Sequence, residues 1–288
     1  MSNHGFARIL LATDGSDQAN AAVAVTSSFA LPSSAEVRVV HVWNLEVHHR
    51  HGVWDVEMRR EADELLAETV EKLRAAGIQA EGRIIRADAG HVAAAIAESA
   101  REFSADLVVV GSRGLPDWQA IIQHSTSHQL LGSVDAPVLI VRAPAPEPRH
   151  DSPRVLLAIA GGDDLVPGVR AAIAAATAPG AQVLVVHVAQ AVVGIQGLAY
   201  VEPDEEIRET IDRASTLLKE AGIKFESMVL DDGPVAKAVA GIAGTWEADV
   251  IVVGGSRMGD LGSLMLGSVT HDLLRATARP ILVAERVR

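Results

Sequence analysis

Two stretches of this sequence carry residue types suited to holding an anion. In the first, Gly111-Ser-Arg-Gly114 is followed, after nine residues, by His124-Ser125-Thr126-Ser127. In the second, Gly254-Gly-Ser-Arg257 is followed, again after nine, by Gly267-Ser268-Val269-Thr270. Glycines leaving a strand let main-chain N–H groups approach a phosphate. A helix N-terminus beyond them adds partial positive charge and free donors, and a Ser or Thr there adds a hydroxyl. Glycine loops after strands are also ordinary turns, so the chemistry depends on what the chain builds around them. A third polar group is Asp14, in Thr13-Asp14-Gly15-Ser16, a loop with the composition of a helix N-cap.

Other reactive types have blander readings. His48, His49 and His51 share one loop, and neutral imidazole is a good metal ligand. No carboxylate accompanies them at a recognised spacing, so they read as a solvated loop and no metal site is assigned. His41 and His187 read as packed, hydrogen-bonded strand residues, and His128 and His271 as helix residues with a packing or surface role. Glu57, Glu61, Asp63, Glu64, Glu68 and Glu71, interspersed with Arg60 and Lys72, line the polar face of one helix. There is no G-x-S-x-G, Walker A or H-E-x-x-H motif. The absence of cysteine excludes a disulfide framework, thiol chemistry and Cys-ligated metal. No catalytic residue is assigned, and the chain reads as non-enzymatic.

The elements around these residues alternate. Arg8–Ala12 is an apolar run, Ala19–Phe29 a helix stopped before Pro32, and Val37–Trp43 a second strand. From Val56 to Ala76, Met58, Ala62, Leu65, Leu66, Thr69, Val70 and Leu73 form a stripe of helical period, closed by Gly77. Ala80–Ile85 is a strand, His91–Phe103 a helix, and Leu107–Val110 a strand apolar enough to be buried on both faces. A short helix from Ser125 to Leu131 and strand Val138–Arg142 follow. The second half repeats this order, its long helix marked by Ile207, Ile211, Ala214, Leu218 and Ala221, and its last strand being Ile281–Glu285. Alternating strands and helices imply right-handed crossovers and an α/β, doubly wound parallel sheet of five strands in each half. Ligands on such sheets sit at the carboxyl ends of strands, near the switch point. That directs attention to the loops after Ala12, Trp43 and Val110.

The repeat is explicit. Arg8–Gly15 reads RILLATDG and Arg154–Gly161 reads RVLLAIAG, an offset of 146 that also pairs His41-Val42 with His187-Val188. Later the offset is 143. It pairs Asp106–Gly111 with Asp249–Gly254, Ser125 with Ser268, and Pro137 with Pro280. Between the halves, residues 143–153 read APAPEPRHDSP, a segment that stays extended. The expected organisation is domain 1 over 1–143, a proline-rich linker over 144–153 and domain 2 over 154–288.

Charge is shared evenly. Residues 1–144 hold 12 basic and 18 acidic residues and the remainder 13 and 19, so each contributes −6 to the net −12. Neither half offers a basic surface, which argues against nucleic acid as a partner. The uncharged stretch Ala171–Val201 is interrupted by Pro179-Gly180 and reads as helix, turn, strand and loop, not as a membrane span. Met1–Phe6 shows no basic region leading into an apolar core, so a cytoplasmic location is expected.

Both halves resemble universal stress protein domains. The matching pieces are ATDGS at Ala12–Ser16, the VHV strand ends at Val40–Val42 and Val186–Val188, and GSRG at Gly111–Gly114. LMLGSVTHDLL at Leu264–Leu274 and the closing strands APVLIVR and RPILVAE complete them. The resemblance implies a Rossmann-like domain repeated in tandem, with a stress-response role and ATP, accompanied by Mg²⁺, as the ligand to test. Carried over by position, Asp14 would bond the ribose and Val42 the adenine edge. Gly111, Gly114 and Ser125 would face the phosphates. In the second half the matching positions are Val188, Gly254, Gly267 and Ser268. The resemblance also implies pairing of final strands across a dimer interface. A tandem chain can make that pairing internally as a pseudo-dimer, with a homodimer of chains as a further level. Partner proteins are unknown.

Both halves depart from the nucleotide-binding pattern. His124 stands where the third glycine of the first half belongs. Ala160 replaces the aspartate in the second half, and Arg257 replaces its second glycine. Two readings follow. One half still binds nucleotide, the first being favoured by Asp14, Gly111 and Gly114, or the chain is a scaffold for protein partners. A slow ATPase is a weaker alternative.

Overall fold

Short runs of Ile, Leu and Val with almost no aromatic residue can fill a core only as strands layered under small-residue helices. The computed structural model describes residues 5–45, 54–88, 91–112, 126–149, 152–160, 165–189, 191–193, 199–201, 203–230, 233–254 and 268–284. The contacts divide the chain into two units, Phe6–Ala145 and Pro146–Arg288.

In the first unit the order is β1 (Arg8–Ala12), α1 (Asp17–Ser33), β2 (Glu36–Leu45), α2 (Trp54–Ala75), β3 (Gln79–Asp88), α3 (Val92–Phe103), β4 (Leu107–Ser112), α4 (Thr126–Leu131) and β5 (Val138–Arg142). The strands pair in parallel in the order β3-β2-β1-β4-β5. Ile9, Leu10 and Leu11 of β1, and Leu107, Val108 and Val109 of β4, are fully buried. Helix α1 packs beside α2, and α3 beside α4. Ala62, Leu66, Thr69, Val70 and Leu73 form the buried stripe of α2, while its acidic face is solvated. There Lys72 bonds Glu68 at 2.8 Å and holds that carboxyl below its ordinary value.

The second unit repeats the plan: β6 (Arg154–Ile159), α5 (Leu165–Ala175), β7 (Gln182–Val188), β8 (Ala191–Val193), β9 (Ala199–Val201), α6 (Asp204–Glu220), β10 (Phe225–Leu230), α7 (Val235–Thr245), β11 (Val250–Val253), α8 (Ser268–Ala276) and β12 (Ile281–Val283). Its parallel order is β10-β7-β6-β11-β12. Among the described residues, no helix is long and apolar enough to cross a membrane.

Local expectations are corrected in two places. Helix α1 does not stop before Pro32 but runs through it to Ser33. In the last turn a proline removes only one helical hydrogen bond. The helix ends where Ser34 turns left-handed at φ 55°, with Ser34 N–H on the Leu31 carbonyl and Ala35 N–H on that of Ala30. Beyond β7, where a loop is expected, β8 and β9 form an antiparallel pair with Val192 opposite Tyr200. Three-residue strands are too short to show a period.

One device recurs at the amino end of both sheets. The Asp106 carboxylate accepts the main-chain N–H groups of Ala7 (2.7 Å) and Arg8 (2.9 Å), and its own N–H returns to the Arg8 carbonyl at 2.9 Å. Arg8 also donates to the Phe103 carbonyl at the end of α3 and lies 5.9 Å from that ring's centroid. In the second unit Asp249 takes the N–H of Arg154 at 2.7 Å, and Arg154 bonds the Trp246 carbonyl and lies over that ring. The residue in Ala7's place is Pro153, which has no N–H to give. Arg149 supplies the missing donors: its main-chain N–H (3.3 Å) and guanidinium (3.1 Å) both reach Asp249 Oδ1. The same guanidinium bonds the carbonyl and carboxylate of Glu247, each at 2.7 Å. Arg279 donates to the neighbouring Ala248 carbonyl, and burial lowers its pKa from the ordinary value. The end of the proline-rich segment is therefore bound to the second unit.

Asp249 is buried, and its removal strands several donors. Asp249→Ala is expected to cost about 2–3 kcal/mol in denaturant unfolding of the second unit. Arg149→Ala should cost about 1 kcal/mol, and less in a Pro153→Ala background, where an N–H is restored. Equal losses in both backgrounds would refute the substitution of Arg149 for the missing N–H.

Candidate functional site

Strand β1 lies between β2 and β4, so the chain leaves it in opposite directions on its two sides. Such a switch point opens a crevice at the carboxyl ends of the strands. Here the crevice has a definite shape because the three strands end at different heights. Strand β1 stops at Ala12, opposite Val40 and Val110, whereas β2 continues to Leu45 and β4 to Ser112. The last rung is Thr13 N–H on the Val40 carbonyl at 2.9 Å. Successive residues of a strand turn their main-chain groups to alternate sides. Val40 faces β1, so Val42 faces the same side, past the point where β1 has ended. Val108 donates to the Pro137 carbonyl and faces β5. Gly111, three residues on, therefore turns back toward β1's side. Two peptide groups from different strands border the notch above Ala12.

Asp14 stands at its rim and is exposed. Its Oδ1 accepts from Ser16 N–H at 3.0 Å and from Ser16 Oγ at 2.5 Å. Ser16 Oγ in turn accepts from Ala19 N–H at 3.3 Å, so Ser16 is the cap of α1 and Asp14 fixes the cap. Gly15 is required by two constraints. Its φ is +76°, and a methyl group there would lie 2.0 Å from Leu65 Cδ1 of α2.

His41 is hydrogen-bonded, as its repeated place in a strand suggests, and the structure supplies the partner. Its Nδ1 lies 2.9 Å from the Thr13 carbonyl, so it carries the proton and ties β2 to the chain leaving β1. The repeated histidine at the same offset was the available signal. His187, its counterpart, is 2% exposed and sits at the equivalent register opposite Ile159. His271 lies 3.3 Å from Asp272 on the surface of α8.

In the second unit, β6 carries Ala158 opposite Val186 and Val253, the same arrangement as Ala12. Ala189 N–H bonds the Leu230 carbonyl, which turns the buried Val188 toward β6. Gly254 follows β11 directly, with Gly168 of α5 close beside it. Where the first unit has Asp14, however, this one has the exposed methyl of Ala160. The carboxylate is absent, and β6 runs to Ile159, one residue past its last pairing with β11. Ser268 opens α8. Gly114, Ser125 and Gly267, along with His124, Arg257, His48, His49 and His51, lie outside the described residues.

Two other concavities occur in the second unit. One of about 490 Å³ lies between the start of α7 and α8, with Val235, Lys237, Val269 and Arg275 on its walls. Another of about 630 Å³ runs along α6 past Arg208, Asp212 and Arg213. Both are open grooves on helix surfaces and neither contains a residue of the strand-end site. Among the described residues, no group of three His, Asp or Glu is placed to hold a metal ion.

The model of the universal stress protein family matches residues 5–142 and again 152–285. A universal stress protein of Thermus aquaticus is 33% identical over 133 residues, which is 45% of this chain and 96% of that protein. One from Mycobacterium tuberculosis (strain ATCC 25618 / H37Rv) is 26% identical over 295 residues, covering 96% of this chain and 97% of its own length. The crystal structure of a universal stress protein from Archaeoglobus fulgidus DSM 4304 superposes with a TM-score of 0.75 over the whole of both chains, at 22% identity. The double match and the repeated strand order together place this chain in the universal stress protein family, as a member that carries two of the family's domains in tandem.

Proposed function

We propose that the first unit binds an adenine nucleotide, ATP with its accompanying Mg²⁺, and that the chain is a non-enzymatic regulator of the cytoplasmic stress response. The observation that supports this most is the notch at the end of β1. Main-chain groups of Val42 and Gly111 border it, and the Asp14 carboxylate stands at its rim. These group types suit the ligand. A peptide edge can read a base, a carboxylate can accept from a ribose hydroxyl, and a glycine permits close approach of a phosphate. Gly114 and Ser125 are assigned to the phosphates by their position in the sequence. Asp14 is engaged as an acceptor from Ser16, which suits binding and positioning more than proton abstraction.

A second reading applies to the second unit. Exposed Ala160 in place of the carboxylate favours a role in contacts with other proteins, with Val188, Gly254, Gly267 and Ser268 retained as the frame of an altered site.

Two measurements test the first unit. Denaturing the purified protein should release an adenine nucleotide identifiable by mass, or calorimetric titration of the apo protein should detect ATP. Asp14→Ala should weaken that binding about tenfold or more, the equivalent of one lost hydrogen bond to a charged group. No nucleotide in either assay would leave the scaffold reading for the whole chain, whereas full affinity in Asp14→Ala would remove Asp14 from the site. Separately, His124→Gly should tighten ATP binding if the imidazole crowds the phosphates; unchanged affinity would remove that steric explanation.

A further inference from the structure

The two units share a valine near the carboxyl end of their second strand, Val42 in β2 and Val188 in β7, and differ in what holds its N–H. Parallel strands exchange evenly spaced bonds, and each residue that faces its neighbour donates to one residue there and accepts from the next but one. In the first unit the β1–β2 ladder ends at Ala12 opposite Val40. Its last bond is Thr13 N–H on the Val40 carbonyl at 2.9 Å. The next bond of the series would be Val42 N–H on the Thr13 carbonyl. That bond is not made. The Thr13 carbonyl accepts from His41 Nδ1, 2.9 Å away. By alternation the Val42 N–H points to the β1 side, and among the described residues no main-chain carbonyl accepts it there.

In the second unit the ladder runs one rung further and pairs Ile159 with His187. That rung closes with Val188 N–H on the Ile159 carbonyl, the bond missing from the first unit. On the other side the two first strands end alike, at Ala12 opposite Val110 and at Ala158 opposite Val253. The extra rung therefore belongs to the β7 side alone. Both units carry the histidine, so the imidazole does not release the valine unaided. The residue at the strand end differs. Thr13 Oγ1 accepts from Gly15 N–H at 3.3 Å, which turns the chain out of the strand. Ile159 has no polar group to begin such a turn, and a β-branched apolar residue suits one more strand position. Thr13 and Ile159 are both buried, so burial does not separate them.

We infer that Thr13 and His41 act together as positioning residues that keep the Val42 N–H out of the sheet and leave it as a donor for a ligand. The hydroxyl turns the chain, and the imidazole takes the carbonyl that would otherwise bind Val42. The second unit holds the matching N–H inside its ladder and does not offer it. The release is a property of the free protein; that the ligand is a base rests on the nucleotide reading of the first unit. A released N–H suits a heteroaromatic base with a ring-nitrogen acceptor on its edge, and one such base binds per chain.

Amide hydrogen exchange of the full chain, followed residue by residue by NMR without nucleotide, tests the release. The Val42 amide should exchange freely and the Val188 amide should be protected. Thr13→Ile, which copies the second unit, and His41→Leu, which removes the imidazole donor, should each protect the Val42 amide by returning it to the Thr13 carbonyl. His41→Asn keeps a side-chain N–H at the place of Nδ1 and should leave Val42 unprotected. Added ATP should protect Val42 in the wild type, at one ATP per chain. Its affinity should fall about tenfold in Thr13→Ile and His41→Leu but not in His41→Asn. Equal protection of Val42 and Val188 in the free wild type would overturn the proposal. So would a Val42 amide that still exchanges freely in both Thr13→Ile and His41→Leu, or one that exchanges freely with ATP bound. Failure of ATP to bind at all would overturn the nucleotide reading and the base as ligand, while exchange in the free protein still decides the release of Val42.

Discussion

Each domain depends on the pairing of its first strand along both edges. Strand β1 is hydrogen-bonded to β2 on one side and β4 on the other, and β6 likewise to β7 and β11. Because the chain crosses to opposite sides from this strand, the helices cover both faces and the core closes around Ile9, Leu10 and Leu11 or Val155, Leu156 and Leu157. In the first unit β2 and β4 also run past the end of β1 and carry peptide groups beyond it. Stability and the candidate site therefore follow from a single feature of sheet geometry.

The two ends of that strand have changed differently between the units. At the amino end, Asp106 and Asp249 hold the chain as it enters the sheet, and Arg8 and Arg154 lie against the aromatic ring that closes the preceding helix. Even the loss of a donor at Pro153 is offset, through Arg149. A buried carboxylate without donors would be costly, so the second unit has kept the arrangement by other means. At the carboxyl end, Ala160 stands where the first unit has Asp14. An exposed carboxylate can be lost at little cost to the fold.

Much of the architecture was legible because periodicity survives without tertiary information. The apolar runs at Arg8–Ala12, Leu107–Val110 and Val138–Arg142, and the helical stripe closing at Gly77, appear in the fold with small shifts at their ends. Pro32 misled because a proline's effect depends on how many helical bonds lie beyond it. Strands β8 and β9 could not be read because three residues define no period. At the site, the types and order of Asp14, Val42 and Gly111 were readable. So was their place at the carboxyl ends of neighbouring strands; the heights at which β1, β2 and β4 end were not, since they depend on lengths that differ by a few residues.

The sequence by itself determined the duplication, the alternation of strands and helices, the family and the residue types at the carboxyl ends. These rest on composition, spacing and self-similarity, which belong to the chain before it folds. Only the tertiary structure decided that β1 ends below its neighbours and that Leu65 lies against the turn at Gly15. It alone joined His41 to the Thr13 carbonyl, Arg149 to Asp249, and left Val229 exposed on an open strand. Each of these joins or exposes residues far apart in the chain. Such contacts come from packing and register, and no local pattern of side chains encodes them.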